Sequence, residues 1–272
     1  MITRFAPSPT GPLHLGHAWA AMVADDLGNM LLRIEDIDQS RARPEWEAAI
    51  YNDLHWMGLD WPTPVMRQSD RLTSYTAALD RLWNAGVLYP CTCNRRDIQT
   101  AASAPQENAP LMGPDGIVYP GTCRGAARTG PRPDGMVLRL DADAVPNLSW
   151  TERGSPRSMS ADTFVRSIGD IVIARREMGT SYHLAVTIDD AAQGIDLVTR
   201  GEDLAEATPI HVALQRLLDL PTPTYHHHDL VRDADGRRLA KRDDARSIAS
   251  YRSSGWLAGD LIAHLRRSRI AP

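Results

Sequence analysis

Arg4-Phe5-Ala6-Pro7-Ser8-Pro9-Thr10-Gly11-Pro12-Leu13-His14-Leu15-Gly16-His17 is the stretch on which the fold turns. Ile2 to Ala6 reads as a short buried strand, and the prolines at 7, 9 and 12 cannot continue it, because each removes a backbone donor. Leu15 to Leu27 then reads as a helix, and Met30 to Ile34 as a second strand. Strand, loop, helix, strand is the βαβ unit of a parallel sheet, so an α/β fold is expected. His14 and His17 lie three apart where the helix begins, so both can project near its N-terminus. Such an end carries unsatisfied N–H groups and a partial positive charge, which makes it a ready phosphate site. Gly16 leaves room for a nucleotide against the backbone. Taken alone, the pair reads sooner as a helix cap at His14 and a surface residue at His17.

Outward from this stretch, Ser69 to Gly86 fits an amphipathic helix, with Leu72, Tyr75, Leu79, Leu82 and Trp83 on one face. Gln68-Ser69-Asp70-Arg71 reads as its cap. Composition changes after Tyr89. From Thr100 to Pro133 the chain is rich in Ala, Pro, Gly and Asn, which predicts an insertion held by something other than an apolar core. Regular signals return at Met136 to Leu140 and Asp170 to Ala174. Tyr182 to Ile188 and Asp196 to Thr199 read as strands, and Thr208 to Leu218 as a helix. Pro221 and Pro223 mark a boundary, and a Gly-and-Arg loop with a short helical tail closes the chain.

The 272 residues suffice for a sizeable core. A net charge of -4 gives no global footprint for nucleic acid, so any RNA contact must come from local basic patches. No stretch approaches the roughly 18 apolar residues of a membrane span, and nothing at the N-terminus resembles a signal peptide. Three Cys make a poor disulfide framework, and a cytoplasmic protein is expected. Cys91, Cys93 and Cys123 are clustered, which reads as a metal site before three buried apolar thiols. Zinc prefers about four ligands, so one is missing. No His occurs between His55 and His183, which leaves a carboxylate or something rarer. His226-His227-His228 does not read as a second metal site. Alternation on a strand sends the middle ring to the opposite face, so structural or nucleotide-adjacent packing is expected.

The segment from Arg4 to His17 resembles the HIGH signature of class I aminoacyl-tRNA synthetases, in the form used by the glutamyl branch. Leu32-Arg33-Ile34-Glu35-Asp36-Ile37-Asp38, Ser181-Tyr182-His183-Leu184-Ala185 and Val198-Thr199-Arg200-Gly201-Glu202-Asp203-Leu204 resemble later blocks of that branch, in its order. Gly236-Arg237-Arg238-Leu239-Ala240-Lys241-Arg242 resembles the KMSKS loop, with Arg238 for the usual first Lys and Ala240 for Ser. The resemblance implies a Rossmann-like parallel-sheet catalytic domain with a zinc-bearing insertion and a short helical C-terminal part. Its halves would span 1–88 and 162–220, the insertion 89–161, and the loop with its tRNA-contacting tail 221–272. It further implies that Arg4, Phe5, Ala6, Pro7, Ser8, Glu35, Tyr182 and Arg200 surround L-glutamate. His14, Gly16, His17 and Lys241 would hold ATP with its Mg²⁺, and His14, His17 and Lys241 would promote the chemistry. A dicarboxylic amino acid needs cationic forks and one anion, which Arg4, Arg200 and Glu35 can supply.

The short glutamyl-queuosine branch of that family uses Cys-x-Cys and Tyr-x-x-x-Cys as zinc ligands, matching Cys91, Cys93, Tyr119 and Cys123. Thirty residues follow Arg242, too few for the helical anticodon reader of ordinary glutamyl enzymes. Both features lead to the expectation of an enzyme that glutamylates queuosine in tRNA(Asp); a monomer is expected. The alternatives are a truncated enzyme charging a tRNA 3′ end and a non-catalytic paralogue that binds tRNA or glutamate. Only 18 positions separate His17 from Glu35, so a shortened helix or turn at Gly28-Asn29 is expected.

Overall fold

The computed structural model describes residues 1–102, 111–126, 128–233, 236, 237, 239 and 246–271. Arg238, Ala240 and Lys241 lie outside the described residues. Strand β1 (Ile2–Phe5) leads into α1 (Leu15–Leu27), and β2 (Asn29–Ile34) follows. Next come α2 (Pro44–Trp56), β3 (Met66–Arg67), a 3-10 turn (Gln68–Arg71), α3 (Leu72–Asn84), β4 (Leu88–Cys91) and α4 (Arg95–Ala102). A small hairpin, β5 (Met112–Gly113) and β6 (Gly116–Ile117), precedes β7 (Val137–Leu140), β8 (Leu148–Glu152), β9 (Ser155–Met159) and α5 (Ala161–Ser167). The chain ends with β10 (Val172–Ala174), α6 (Tyr182–Ala192), β11 (Leu197–Gly201), α7 (Thr208–Leu217), β12 (Thr224–His228), α8 (Ile248–Ser253) and α9 (Ala258–Ser268). Among the described residues no helix is long and apolar enough to cross a membrane.

Two compact units share these elements and cut across the four segments set out above. The first comprises Met1–Asp70, Gly194–Ala205 and Pro223–Pro272, and the second Arg71–Gln193 and Glu206–Thr222. In the first unit β1, β2 and β3 are parallel, with Arg4 opposite Leu31 and Ile34 opposite Arg67. Strands β11 and β12 are also parallel, with Arg200 opposite His227. Asp196 ties the two sets together: its N–H donates to Ile2 O (3.2 Å), and Ile2 N–H donates to its Oδ1 (2.7 Å). A core of Leu15, Ala18 and Met22 from α1, Leu32 and Ile34 from β2 and Ile50 and Leu54 from α2 covers one face. The tail belongs to this core, because Ile248, Tyr251, Leu261 and Leu265 are buried in it.

At the α1–β2 junction Gly28 is the sole residue between helix and strand. A Cβ there would lie 2.5 Å from Met1 O, so the close approach requires glycine.

In the second unit β4, β7 and β10 form an antiparallel sheet, and β8 pairs with β9. Helix α3 buries Tyr75, Ala78, Leu79, Leu82 and Trp83, but Leu72 is exposed, contrary to expectation. The first turn is not yet against the core. Nor does a side chain cap α3: residues 68–71 form the 3-10 turn, and Arg71 is committed to Asp189 (Nε to Oδ1, 2.7 Å). Gly86 ends the helix with φ +72, donating to Trp83 O.

Tyr182 to Ile188 is a helix, not a strand. Ser181 caps α6 by accepting from Leu184 N–H (3.3 Å). The helix is buried on more than one face, at His183, Leu184, Ala185, Val186, Thr187, Asp189 and Asp190, which erases the helical period. Asp189, fully buried, also accepts from Tyr75 Oη (2.7 Å).

Candidate active site

Parallel strands bring their C-terminal ends to one edge, where ligands of open α/β sheets are commonly bound. Arg4, near that end of β1, is buried, and its Nη1 donates to Thr199 O on β11 (2.8 Å). Arg200, the next residue, is buried as well. Glu35 follows β2 directly, and its N–H donates to Pro7 O (3.0 Å), fastening the 7–8 turn beside the β2 end. Its Oε1 meets Nη2 of the fully buried Arg33 at 3.2 Å. Backbone and side-chain bonds thus link the segments that carry Arg4, Pro7, Ser8, Glu35 and Arg200. Phe5 is buried and Ala6 half-buried in the same segment.

His227 is a residue that sequence reasoning missed here. Its Nε2 accepts from Arg200 Nε at 3.0 Å, and the guanidinium lies 5.4 Å from the Tyr225 ring centroid. The available signal was register, since parallel pairing puts Arg200 and His227 opposite each other. His228 serves packing, edge-on to Trp19 with its Nδ1 against Asp229 O. Burial pushes its imidazole below the ordinary range.

The start of α1 is built by the two histidines. His14 Nδ1 accepts from Gly16 N–H (3.1 Å), and His17 Nδ1 accepts from His14 N–H (3.1 Å). This reciprocal arrangement is a capping box made of imidazoles, with ring centroids 3.8 Å apart. The room at Gly16 is used by this cap, because a Cβ there would come within 2.9 Å of His14 Cε1. The chain that leaves the Gly-and-Arg loop returns here: Ile248 N–H donates to Leu13 O (2.9 Å), and Ser247 bridges to His14. Tyr182 belongs to the second unit, at the start of α6, edge-on to His183 and His211.

Also in the second unit, Cys91, Cys93 and Cys123 bring their sulfurs within 4.8 Å of one another and could hold a metal ion. The Tyr119 hydroxyl lies 3.5 Å from Cys91 Sγ and 3.3 Å from Cys93 Sγ, and it accepts from Cys123 N–H at 3.0 Å. Sulfurs about 2.3 Å from a tetrahedral zinc would stand under 4 Å apart, and the 3.5 Å between Cys93 and Cys123 suits that. Arg139 supplies the countercharge such a donor set needs: its Nε lies 3.3 Å from Cys91 Sγ and its guanidinium 3.8 Å from the Tyr119 ring centroid. Burial pushes the Cys123 thiol up, but hydrogen bonding to Tyr119, Thr92 and Cys93 outweighs it and brings the thiol down to about 6. Burial, with the three cysteines, pushes the Tyr119 phenol well up.

The profile describing tRNA synthetases class I (E and Q), catalytic domain, matches residues 1–272. A glutamyl-Q tRNA(Asp) synthetase from Rhodobacter capsulatus is 58% identical over 275 residues, which cover 96% of this chain and 98% of that one. Its namesake from Nocardia farcinica is 41% identical over 284 residues, covering 99% and 85%. Among solved structures, a glutamate tRNA ligase from Elizabethkingia meningosepticum superposes with a TM-score of 0.73 at 24% identity. That match takes in 98% of this chain but 60% of the ligase, and at this identity it speaks for the fold alone. A profile spanning the whole chain, joined to relatives this similar, decides the family: the chain belongs to the class I tRNA synthetases of the E and Q type and is a ligase of the aminoacyl-tRNA synthetase kind.

Proposed function

We propose that this ligase activates L-glutamate with ATP and passes the glutamyl group to queuosine in the anticodon of tRNA(Asp). The observation that carries the glutamate half is the pair of buried guanidiniums on β1 and β11, with Arg4 bonded to the carbonyl just before Arg200. Two such forks suit two carboxylates, and Glu35 suits the ammonium. Ala6 and Ser8 would complete the pocket within the first unit. The queuosine half rests on the names of the relatives from Rhodobacter capsulatus and Nocardia farcinica.

In the reaction the glutamate carboxylate attacks the α-phosphorus of ATP and expels pyrophosphate. The adenylate then gives its acyl group to a hydroxyl of the modified base, forming an ester and releasing AMP, with the hydroxyl proton passing to the phosphate or solvent. No enzyme nucleophile is needed, so catalysis is positioning and neutralisation of phosphate charge. His14 and His17 at the α1 N-terminus, with Gly16 and Lys241, would serve the phosphates, and Mg²⁺ accompanies ATP. Zinc would sit among Cys91, Cys93, Cys123 and Tyr119 as a structural ion. Tyr119 is the costliest ligand of the set, because burial opposes loss of its proton.

The test uses labelled glutamate, ATP and tRNAs with and without queuosine. Label should appear on queuosine-containing tRNA(Asp), and label at the 3′ end of queuosine-free tRNA(Glu) would overturn the reading. Arg200→Ala should lower kcat/KM for glutamate in ATP–pyrophosphate exchange. Losing one partner of a buried charged pair costs about 2–5 kcal/mol, or roughly 30- to several thousand-fold. Unchanged exchange would remove Arg200 from the glutamate pocket.

A further inference from the structure

We propose that a cavity in the second unit is a subsite for the RNA, seating a backbone phosphate between Arg95, Arg175 and Arg176. The proposal rests on the tRNA-charging reading above and deepens it by naming where the polymer is held. The cavity measures about 510 Å³ and lies between α4, the β5–β6 hairpin, β7, β10 and the turn after β10. Ile98, Ile117 and Val172 contribute an apolar wall.

Its charged lining falls into two groups. The first is already engaged. Arg139 is bonded to Cys91 Sγ and Asp170 O, and Asp170 receives Arg124 through both carboxylate oxygens as well as the Tyr89 hydroxyl. Asp115 is bonded to His183 Nε2 at 3.0 Å. The second group is exposed Arg95, Arg175, Arg176 and Glu177, whose side chains make no hydrogen bond or ion pair among the described residues. Asp115, partly exposed in the same lining, also feels the charge of Arg175, so three cations face Glu177 and Asp115, a net positive charge beside an apolar wall.

The arginines come from two separate elements, the start of α4 and the turn after β10, so one solvated helix face does not explain their convergence. A guanidinium presents a planar fork that fits two oxygens of a phosphodiester, and the apolar wall offers contact to a neighbouring base. Exposed cations at a rim suit a polymer that passes over the cavity better than a small anion enclosed by it.

The experiment measures binding of queuosine-containing tRNA(Asp) to the intact chain over a range of salt concentrations. The triple variant Arg95→Gln, Arg175→Gln, Arg176→Gln should flatten the slope of log K against log salt by roughly 1, at about 0.7 to 0.9 per phosphate contact. The corresponding triple Lys variant should recover most of the slope. Arg157→Gln, an exposed charge on β9 outside the cavity, should leave it unchanged. Glutamate-dependent ATP–pyrophosphate exchange should be unaffected in every variant. An unaltered slope in the triple Gln variant, or an equal loss per charge from Arg157→Gln, would overturn the subsite. A raised KM for ATP in exchange would also overturn it, because the cavity would then serve the mononucleotide. Absence of exchange in the parent chain would instead strike the activation reading, and the slope comparison would still decide the subsite.

Discussion

Ile50, Leu54, Leu261 and Leu265 lie fully buried in the first unit, in a core drawn from helices and strands far apart in the chain. Around Cys91 in the second unit, the buried cluster consists of Cys91, Tyr89 and Tyr119. Each fully buried Leu of the large core contributes on the order of 1.5–3 kcal/mol by leaving water. The small cluster relies on polar contacts worth roughly 0.5–1.5 kcal/mol apiece. The difference teaches that the chain uses two adhesives. One is cooperative and spread over many side chains; the other is concentrated in a few donor atoms that could hold a metal ion.

Metal removal should separate the two most sharply. Chelation, or Cys123→Ser, should release about one zinc per chain and speed amide exchange at 89–93 and 119–124 by roughly a hundredfold or more, since structural zinc is worth many kcal/mol. Amides of 15–34 should keep their protection, and equal loss in both places would erase the contrast. Leu54→Ala is the converse probe. A cavity in the large core should cost about 2–5 kcal/mol in denaturant unfolding of the first unit, with zinc content unchanged. The smallest effect concerns a polar bond inside the well-packed unit. His227→Phe removes the acceptor for Arg200 and should raise the KM for glutamate by about 10-fold, in line with roughly 1.5 kcal/mol for a hydrogen bond to a charged group. His227→Gln, which keeps an acceptor, should recover part of it with little change in kcat. If both variants match the parent, Arg200 is oriented by something other than this imidazole.

The first unit was legible because its local signals agree. Prolines stop β1, apolar spacing marks α1, and one glycine joins it to β2. Helix α2 escaped attention although Pro44 at its first turn and Glu45 and Glu47 behind it follow the usual rules for a helix start. Helix α6 was read as a strand because Val186, Thr187 and Ile188 are β-branched and the run lacks a polar face; the Ser181 cap was the signal that outweighs them. The cysteine cluster could be read as metal-binding from spacing, whereas Tyr119 came only through family resemblance, since a phenol among thiols has no sequence signature of its own. The support of Arg200 by His227 depends on register between strands more than twenty residues apart, which no local pattern encodes.

The imidazole capping box has one more consequence, and it concerns protons. Each ring accepts a backbone N–H at Nδ1, and a neutral imidazole that accepts at one nitrogen carries its hydrogen on the other. His14 and His17 are therefore fixed as the same tautomer, with hydrogen on Nε2. Each ring carries that hydrogen while uncharged. One turn of backbone thus decides which nitrogen of both rings carries the hydrogen.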